Sequence, residues 1–165
     1  MGTVTYIDFG STRWEESAHA AGLLAQGHIP LVARIDWPYD RPAGNGMFRR
    51  CYGLVWPDPA DLDKPGFRRA FALAVIVGMP GREPQWPLRR NGSTNDDDVI
   101  AQICQQEGWD DPIEFLRLRV KADELWRSRP FRRMAVAVYT QFQQREVLDQ
   151  ADLQEIYDEE HACST

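Results

Sequence analysis

Hydrophobic and polar residues alternate along two stretches in the N-terminal half of the chain. Residues 30–37 and 48–56 place apolar side chains at nearly every second position, with Arg50 as an exception. Such a period of two predicts half-buried β-strands. The link between the two stretches contains Asn45-Gly46, a dipeptide that favours a tight turn. We therefore predict an antiparallel hairpin with a long tip.

A further strand and a helix are predicted before this hairpin. Residues 3–9 are rich in β-branched and aromatic side chains, which predicts a strand. Thr12 and Glu15 have the spacing of a capping box at a helix N-terminus. The helix is expected to run to about Gln26, because Gly27 is a favourable residue just after a helix end.

The rest of the chain has mostly helical periodicity. Residues 65–78 fit an apolar helical stripe, but the part from Phe71 to Val77 is apolar on every side, so a buried helix and a buried strand both fit. Residues 96–107 and 112–127 each follow a residue that caps helices well, and we predict a helix for both. Residues 134–142 fit a helix better than the strand they also allow, and a short helix is expected around 153–157.

These elements predict the α+β class. A small N-terminal antiparallel sheet, with strands near 3–9, 30–37 and 48–56, would precede a mainly helical C-terminal half. The length of 165 residues suits a single domain, 1–165, with a sub-boundary near 91–95 as the only break worth considering.

Charge is segregated along the chain, whose net charge is −6. Residues 96–114 carry seven acidic residues and no basic residue, and residues 146–165 repeat that count. Between them, residues 117–145 carry eight basic and two acidic residues. Charge blocks influence the choice of partner more than the fold. Pairing of oppositely charged helices within the chain is the alternative explanation, and the sequence leaves it open.

Motifs for catalysis, phosphate binding or metal binding are absent from the sequence. His19 and His28 lie nine positions apart, which does not place them on one helix face, so we expect no metal ligand pair and no cofactor. The three cysteines form no Cys-x-x-Cys, which predicts reduced thiols and a cytoplasmic protein. No apolar run is long enough to span a bilayer.

A carboxylate cluster is the one enzymatic hypothesis that the residues support. Asp36 and Asp40 flank a short aromatic segment, and Asp8 belongs to the predicted first strand. Grouped carboxylates can hold Mg²⁺ for hydrolysis, which makes a metal-assisted hydrolase the alternative function. Asp96, in contrast, is explained by the favourable effect of an acidic residue at a helix start.

Two further features indicate surfaces for a partner protein. The long segment before residue 96 contains residues of the types found most often as interface hot spots, namely Arg82, Trp86, Arg89 and Arg90. Six tryptophans are also more than a modest core needs. Trp14, Trp56 or Trp109 could therefore lie in the interface of a larger assembly.

The acidic C-terminal block carries the leading functional hypothesis. Asp152, Glu155 and Glu159 would share one helix face, and Asp158 and Glu160 lie beside them. Such a face can occupy a basic, nucleic-acid-binding surface of another protein, with electrostatic steering of the encounter. We therefore predict a non-enzymatic acidic protein-binding module. An inhibitor of the antitoxin, immunity or anti-defence type is one form that such a module takes. We expect a monomer or homodimer that binds neither membranes nor nucleic acid directly.

Overall fold

The computed structural model describes residues 9–39, 50–79, 96–109 and 111–162. Within those ranges the chain forms six α-helices and three strands. In chain order they are α1 (Phe9–Leu24), β1 (Val32–Tyr39), β2 (Arg50–Trp56), α2 (Phe67–Gly78), α3 (Asp96–Glu107), α4 (Pro112–Arg127), α5 (Arg129–Phe142), β3 (Val147–Asp149) and α6 (Gln150–Ala162). The α+β class is thus supported in its broad form, with helices predominating. The possible sub-boundary near 91–95 lies outside the described residues.

The sheet has three antiparallel strands in the order β2-β1-β3. The predicted hairpin corresponds to β1 and β2, but the third strand comes from the C-terminal half. The strand expected at 3–9 is not the third member, since Phe9 already begins α1 and residues 3–8 lie outside the described residues. In β3 Leu148 lies opposite Ala33, and both side chains are fully buried.

The core is built around α2, the segment whose sequence left helix and strand open. It forms a helix in which every residue from Ala72 to Gly78 is buried. It packs against α1, α3 and α4, so its nearly continuous apolar surface has helical neighbours to cover it. Although α2 is the most apolar helix, no helix among the described residues is long and apolar enough to cross a membrane.

Helices α1 and α2 approach each other closely at Gly22. A methyl group at this position would lie 2.7 Å from the Cα of Ala74 and 3.0 Å from a methyl of Val77. Those distances are shorter than ordinary van der Waals contacts, so the crossing depends on the missing side chain. The close approach places the middle of α1, including His19, against the backbone of α2.

Helices α4 and α5 follow the sequence expectations. Asp111 caps α4 by accepting hydrogen bonds from the backbone N–H groups of Ile113 and Glu114. Ser128 caps α5 in the same way, through the N–H of Phe131. Residues 134–142 are helical, because their buried side chains recur at helical spacing along one stripe.

Asp61 joins the loop after α1 to the turn that precedes α2. Its side chain is almost fully buried, receives a hydrogen bond from Nδ1 of His28 at 3.0 Å, and pairs with Lys64. Burial acts to raise the pKa of Asp61, but the contacts with Lys64 and His28 outweigh it and hold the pKa below its usual value. The ionised carboxylate therefore stabilises the folded chain above its usual pKa, and this stabilisation is lost as the pH falls through the lowered value.

Replacing Asp61 with asparagine is expected to lower the free energy of unfolding by about 1–2 kcal/mol at pH 7, because the amide cannot replace the charged hydrogen bonds. Urea unfolding at pH 7 and at pH 3 measures the effect, which should shrink at the lower pH because the carboxyl of the unfolded chain binds a proton there before that of the native chain does. Asp63→Asn, at an exposed position nearby, is the control and should change stability little. An equal loss at both pH values would contradict a charge-based role.

Candidate functional site

A shallow groove of about 350 Å³ runs between α5 and α6. Apolar side chains from both helices line it, together with charged ones. The lining residues are Arg133, Met134, Ala137, Ile156, Glu159, Glu160 and Ala162. The groove is large enough for one apolar side chain, and three of its seven lining residues are charged.

Three acidic side chains of α6 are exposed, and one of them, Glu159, lines this groove. Leu153 and Ile156 bury the opposite face of the helix. Glu155, Asp158 and Glu159 are exposed and occupy neighbouring positions on successive turns. We call these three residues the acidic face. They are part of the set predicted from the sequence.

The other two predicted residues of α6 contact basic groups of the same chain. Glu160 is buried and forms an ion pair with Arg133, Nε to Oε2, at 2.8 Å. Asp152 pairs with Arg145 at 2.9 Å and exchanges capping hydrogen bonds with Asp149. Internal pairing therefore accounts for part of the charge segregation, and it leaves the acidic face available to a partner.

The other predicted site residues lie where the structure gives no account of them. Arg82, Trp86, Arg89 and Arg90 fall within residues 80–95, outside the described residues. Of the alternative carboxylate cluster, Asp8 and Asp40 lie outside as well, and Asp36 is described only as a backbone position of β1. Both sets remain predictions.

A second polar site, which the sequence analysis missed, lies between α1 and the start of α3. Glu15 and His19 are one turn apart on α1, and Asp96 is the first residue of α3. One oxygen or nitrogen from each of the three side chains lies within 4.8 Å of the others. His19 Nε2 is 3.2 Å from Asp96 Oδ2, and His19 Nδ1 is 3.0 Å from the carbonyl oxygen of Ala74 on α2. We call Glu15, His19 and Asp96 the α1–α3 cluster.

The α1–α3 cluster contains two carboxyl groups, and His19 is its one group that can carry a positive charge. Glu16, next to it on α1, is only 7% exposed, and burial raises its pKa to about 8. Burial and the neighbouring Asp96 raise the pKa of Glu15 as well. Burial acts to lower the pKa of His19, but the hydrogen bond and charge of Asp96 outweigh it and raise that pKa to about 9. Such perturbed groups concentrate at functional sites.

Two glycines allow these polar side chains to pack against backbone. A methyl group at Gly78 would overlap the imidazole ring of His19, and one at Gly53 would overlap the side chain of Glu16. The end of α2 and the middle of β2 therefore enclose the polar side chains of α1 from two sides. His19 and Glu16 therefore lie directly against the backbone of α2 and β2, where any residue larger than glycine would displace them.

Two members of the α1–α3 cluster have local explanations in the sequence, and His19 has no neighbouring ligand of its own type. Glu15 was explained by a capping box, although α1 begins at Phe9 and Glu15 lies within it. Asp96 was explained by the helix start, and its contact with His19 spans 77 positions. The one local signal was the spacing of Glu15 and His19, which puts both on one face of a helix.

Comparison with known proteins gives no assignment for this chain. No family model matches it, and neither the curated proteins nor the solved structures contain a match. Function is therefore argued from its own residues.

Proposed function

We propose that the chain is a non-enzymatic protein-binding module that occupies a basic surface of a partner protein. The observation that carries the proposal is the position of the acidic face, Glu155, Asp158 and Glu159, beside the apolar groove between α5 and α6. A partner would place an apolar side chain in the groove and its lysines or arginines against α6.

The two parts of this surface have different physical roles. Desolvation of an apolar side chain in the groove would supply affinity at the centre of the contact. The exposed carboxylates would increase the rate of encounter with a basic partner and set its orientation. Because their charges are exposed, their effect should weaken with added salt.

A nucleic-acid-binding protein fits as the partner. Such proteins carry clustered lysines and arginines that neutralise phosphates. A helix with several adjacent carboxylates can compete for the same basic surface. This is the manner in which an inhibitor of the antitoxin, immunity or anti-defence type would act, and it needs no chemistry from the chain itself.

Neutralising the acidic face is the direct test. A partner is first captured with the native chain from a lysate, then purified, and its dissociation constant is measured by isothermal titration calorimetry. The variant changes three exposed carboxylates to their amides, Glu155→Gln, Asp158→Asn and Glu159→Gln. Affinity should fall at least tenfold at low salt, since several charge contacts disappear together.

The control variant removes the same charge elsewhere, at three exposed residues outside the groove: Asp63→Asn, Asp123→Asn and Glu124→Gln. It should bind as the native chain does. Ala137→Phe, which fills the groove, should also weaken binding. A partner that binds the acidic-face variant as tightly as the native chain, or that is lost equally with the control, would contradict the proposed surface.

A further inference from the structure

The hydrogen bonds of His19 orient one ring nitrogen toward two carboxylates. Nδ1 lies 3.0 Å from the carbonyl oxygen of Ala74, and a carbonyl only accepts hydrogen bonds, so Nδ1 carries a proton. In the neutral imidazole the lone pair is then on Nε2, which faces Asp96. Histidines that bind metals almost always hold their other ring N–H on a carbonyl, carboxylate or water in this way.

The distances within the α1–α3 cluster suit coordination of a single metal ion. With metal–ligand bonds of about 2.0–2.2 Å, two neighbouring ligand atoms lie about 3.0–3.5 Å apart. The separation between His19 Nε2 and Asp96 Oδ2 is 3.2 Å, and the Glu15 carboxylate lies within 4.8 Å of both. Glu15 and His19 reach the same point because four positions along a helix return to the same face.

Packing gives a second, geometric reason for a metal ion at this place. A methyl group at Gly78 would overlap Nδ1 of His19, so the imidazole ring lies directly against the end of α2. With Nδ1 on the Ala74 carbonyl, the ring presents Nε2 to Asp96 at the start of α3. A ligand that is already held in its binding orientation loses less conformational entropy when the metal binds.

We propose that Glu15, His19 and Asp96 bind one divalent transition-metal ion, with two carboxylates and the imidazole Nε2 as the protein ligands. One nitrogen and two carboxylate oxygens suit Mn²⁺, Fe²⁺ or Zn²⁺ better than Mg²⁺ or Ca²⁺, which prefer oxygen alone. The ion would join α1 to the first residue of α3, and through the Ala74 carbonyl to α2. This site is separate from the α5–α6 groove, so either proposal can fail without the other.

Titration of the metal-free full chain with MnCl₂, followed by electron paramagnetic resonance, tests the site. We expect one tightly bound Mn²⁺ per chain, and nitrogen hyperfine coupling from His19 in the pulsed spectrum. Because the ion binds the native state only, a hundredfold excess of ZnCl₂ over its dissociation constant should raise Tm by roughly 5–10 °C.

Substitutions at the two partly exposed ligands identify the site. Glu15→Gln and Asp96→Asn should each weaken Mn²⁺ binding at least tenfold. Asp96→Asn also removes the ion pair with His19, so Mn²⁺ is titrated into this variant below its own, lower Tm. Glu107→Gln, on the same helix as Asp96, is the matched control and should bind Mn²⁺ normally. These variants avoid replacing the buried His19, whose loss could prevent folding.

Four results would overturn the proposal. The first is that neither Mn²⁺ nor Zn²⁺ binds at up to millimolar concentration, and the second is that both ligand substitutions leave Mn²⁺ binding unchanged. The third is that bound Mn²⁺ shows no nitrogen coupling, and the fourth is that Mg²⁺ binds as tightly as Mn²⁺. The last two would mean that the imidazole is not a ligand.

Discussion

Replacing Gly22 with alanine is expected to destabilise the protein by about 1–3 kcal/mol, as overpacking of a tight core does. In an exposed helix the same change stabilises by about 1 kcal/mol, because alanine is the better helix former. Here the added methyl group would lie 2.7 Å from the Cα of Ala74. Backbone atoms cannot turn aside as a side chain can, so α1 and α2 would have to separate.

Urea unfolding followed by circular dichroism measures this change, and Tm should fall by about 2–4 °C for each kcal/mol lost. Gln105→Ala, at an exposed position of α3, is the control and should leave stability within about 0.5 kcal/mol of the native value. A Gly22→Ala variant as stable as the native chain would show that the helices can move apart without loss.

Replacing Arg133 with alanine is expected to lower the free energy of unfolding by about 1–3 kcal/mol. Breaking a fully buried ion pair costs about 3–5 kcal/mol, since it leaves the remaining charge uncompensated. Here the Arg133 side chain is 39% exposed and that of Glu160 only 8%, so water screens the pair in part and reduces the figure. Thermal and urea unfolding at pH 7 should both detect the loss.

A second ion pair on the same surface supplies the matched control. Arg145 and Asp152 are separated by 2.9 Å, but their side chains are 44% and 20% exposed. Arg145→Ala should therefore cost less than about 1 kcal/mol. In addition, the double variant Arg133→Met, Glu160→Leu should recover most of the loss from Arg133→Ala, since it removes the buried carboxylate together with the arginine. Equal losses of stability in Arg133→Ala and Arg145→Ala would show that burial does not strengthen the ion pair of Arg133.

The elements that the sequence predicts well are those whose signals are local. The predicted cap at Asp111 is set by its side chain, which bonds to N–H groups two and three positions ahead. The hairpin of β1 and β2 follows from alternation within each strand. The local sequence of α2 does not decide between a helix and a strand, because a continuous apolar run fits any element that is buried on all sides.

The parts that were missed depend on contacts between distant positions. Strand β3 has only three residues, too few for an alternating pattern, and it forms because Leu148 packs opposite Ala33. The α1–α3 cluster brings Asp96 to His19 across 77 positions. The ion pair of Glu160 with Arg133 likewise could not be foreseen, since helical spacing places Glu160 near the exposed acidic residues without showing which side its carboxylate takes.

The strand order β2-β1-β3 also constrains when the fold can be completed during synthesis. The hairpin of β1 and β2 can form early, but one edge of β1 then has unpaired N–H and C=O groups until Val147–Asp149 has emerged from the ribosome. An unpaired strand edge is a template for pairing with other chains. The nascent hairpin thus keeps one open edge, at which other chains can pair, until β3 follows it from the ribosome.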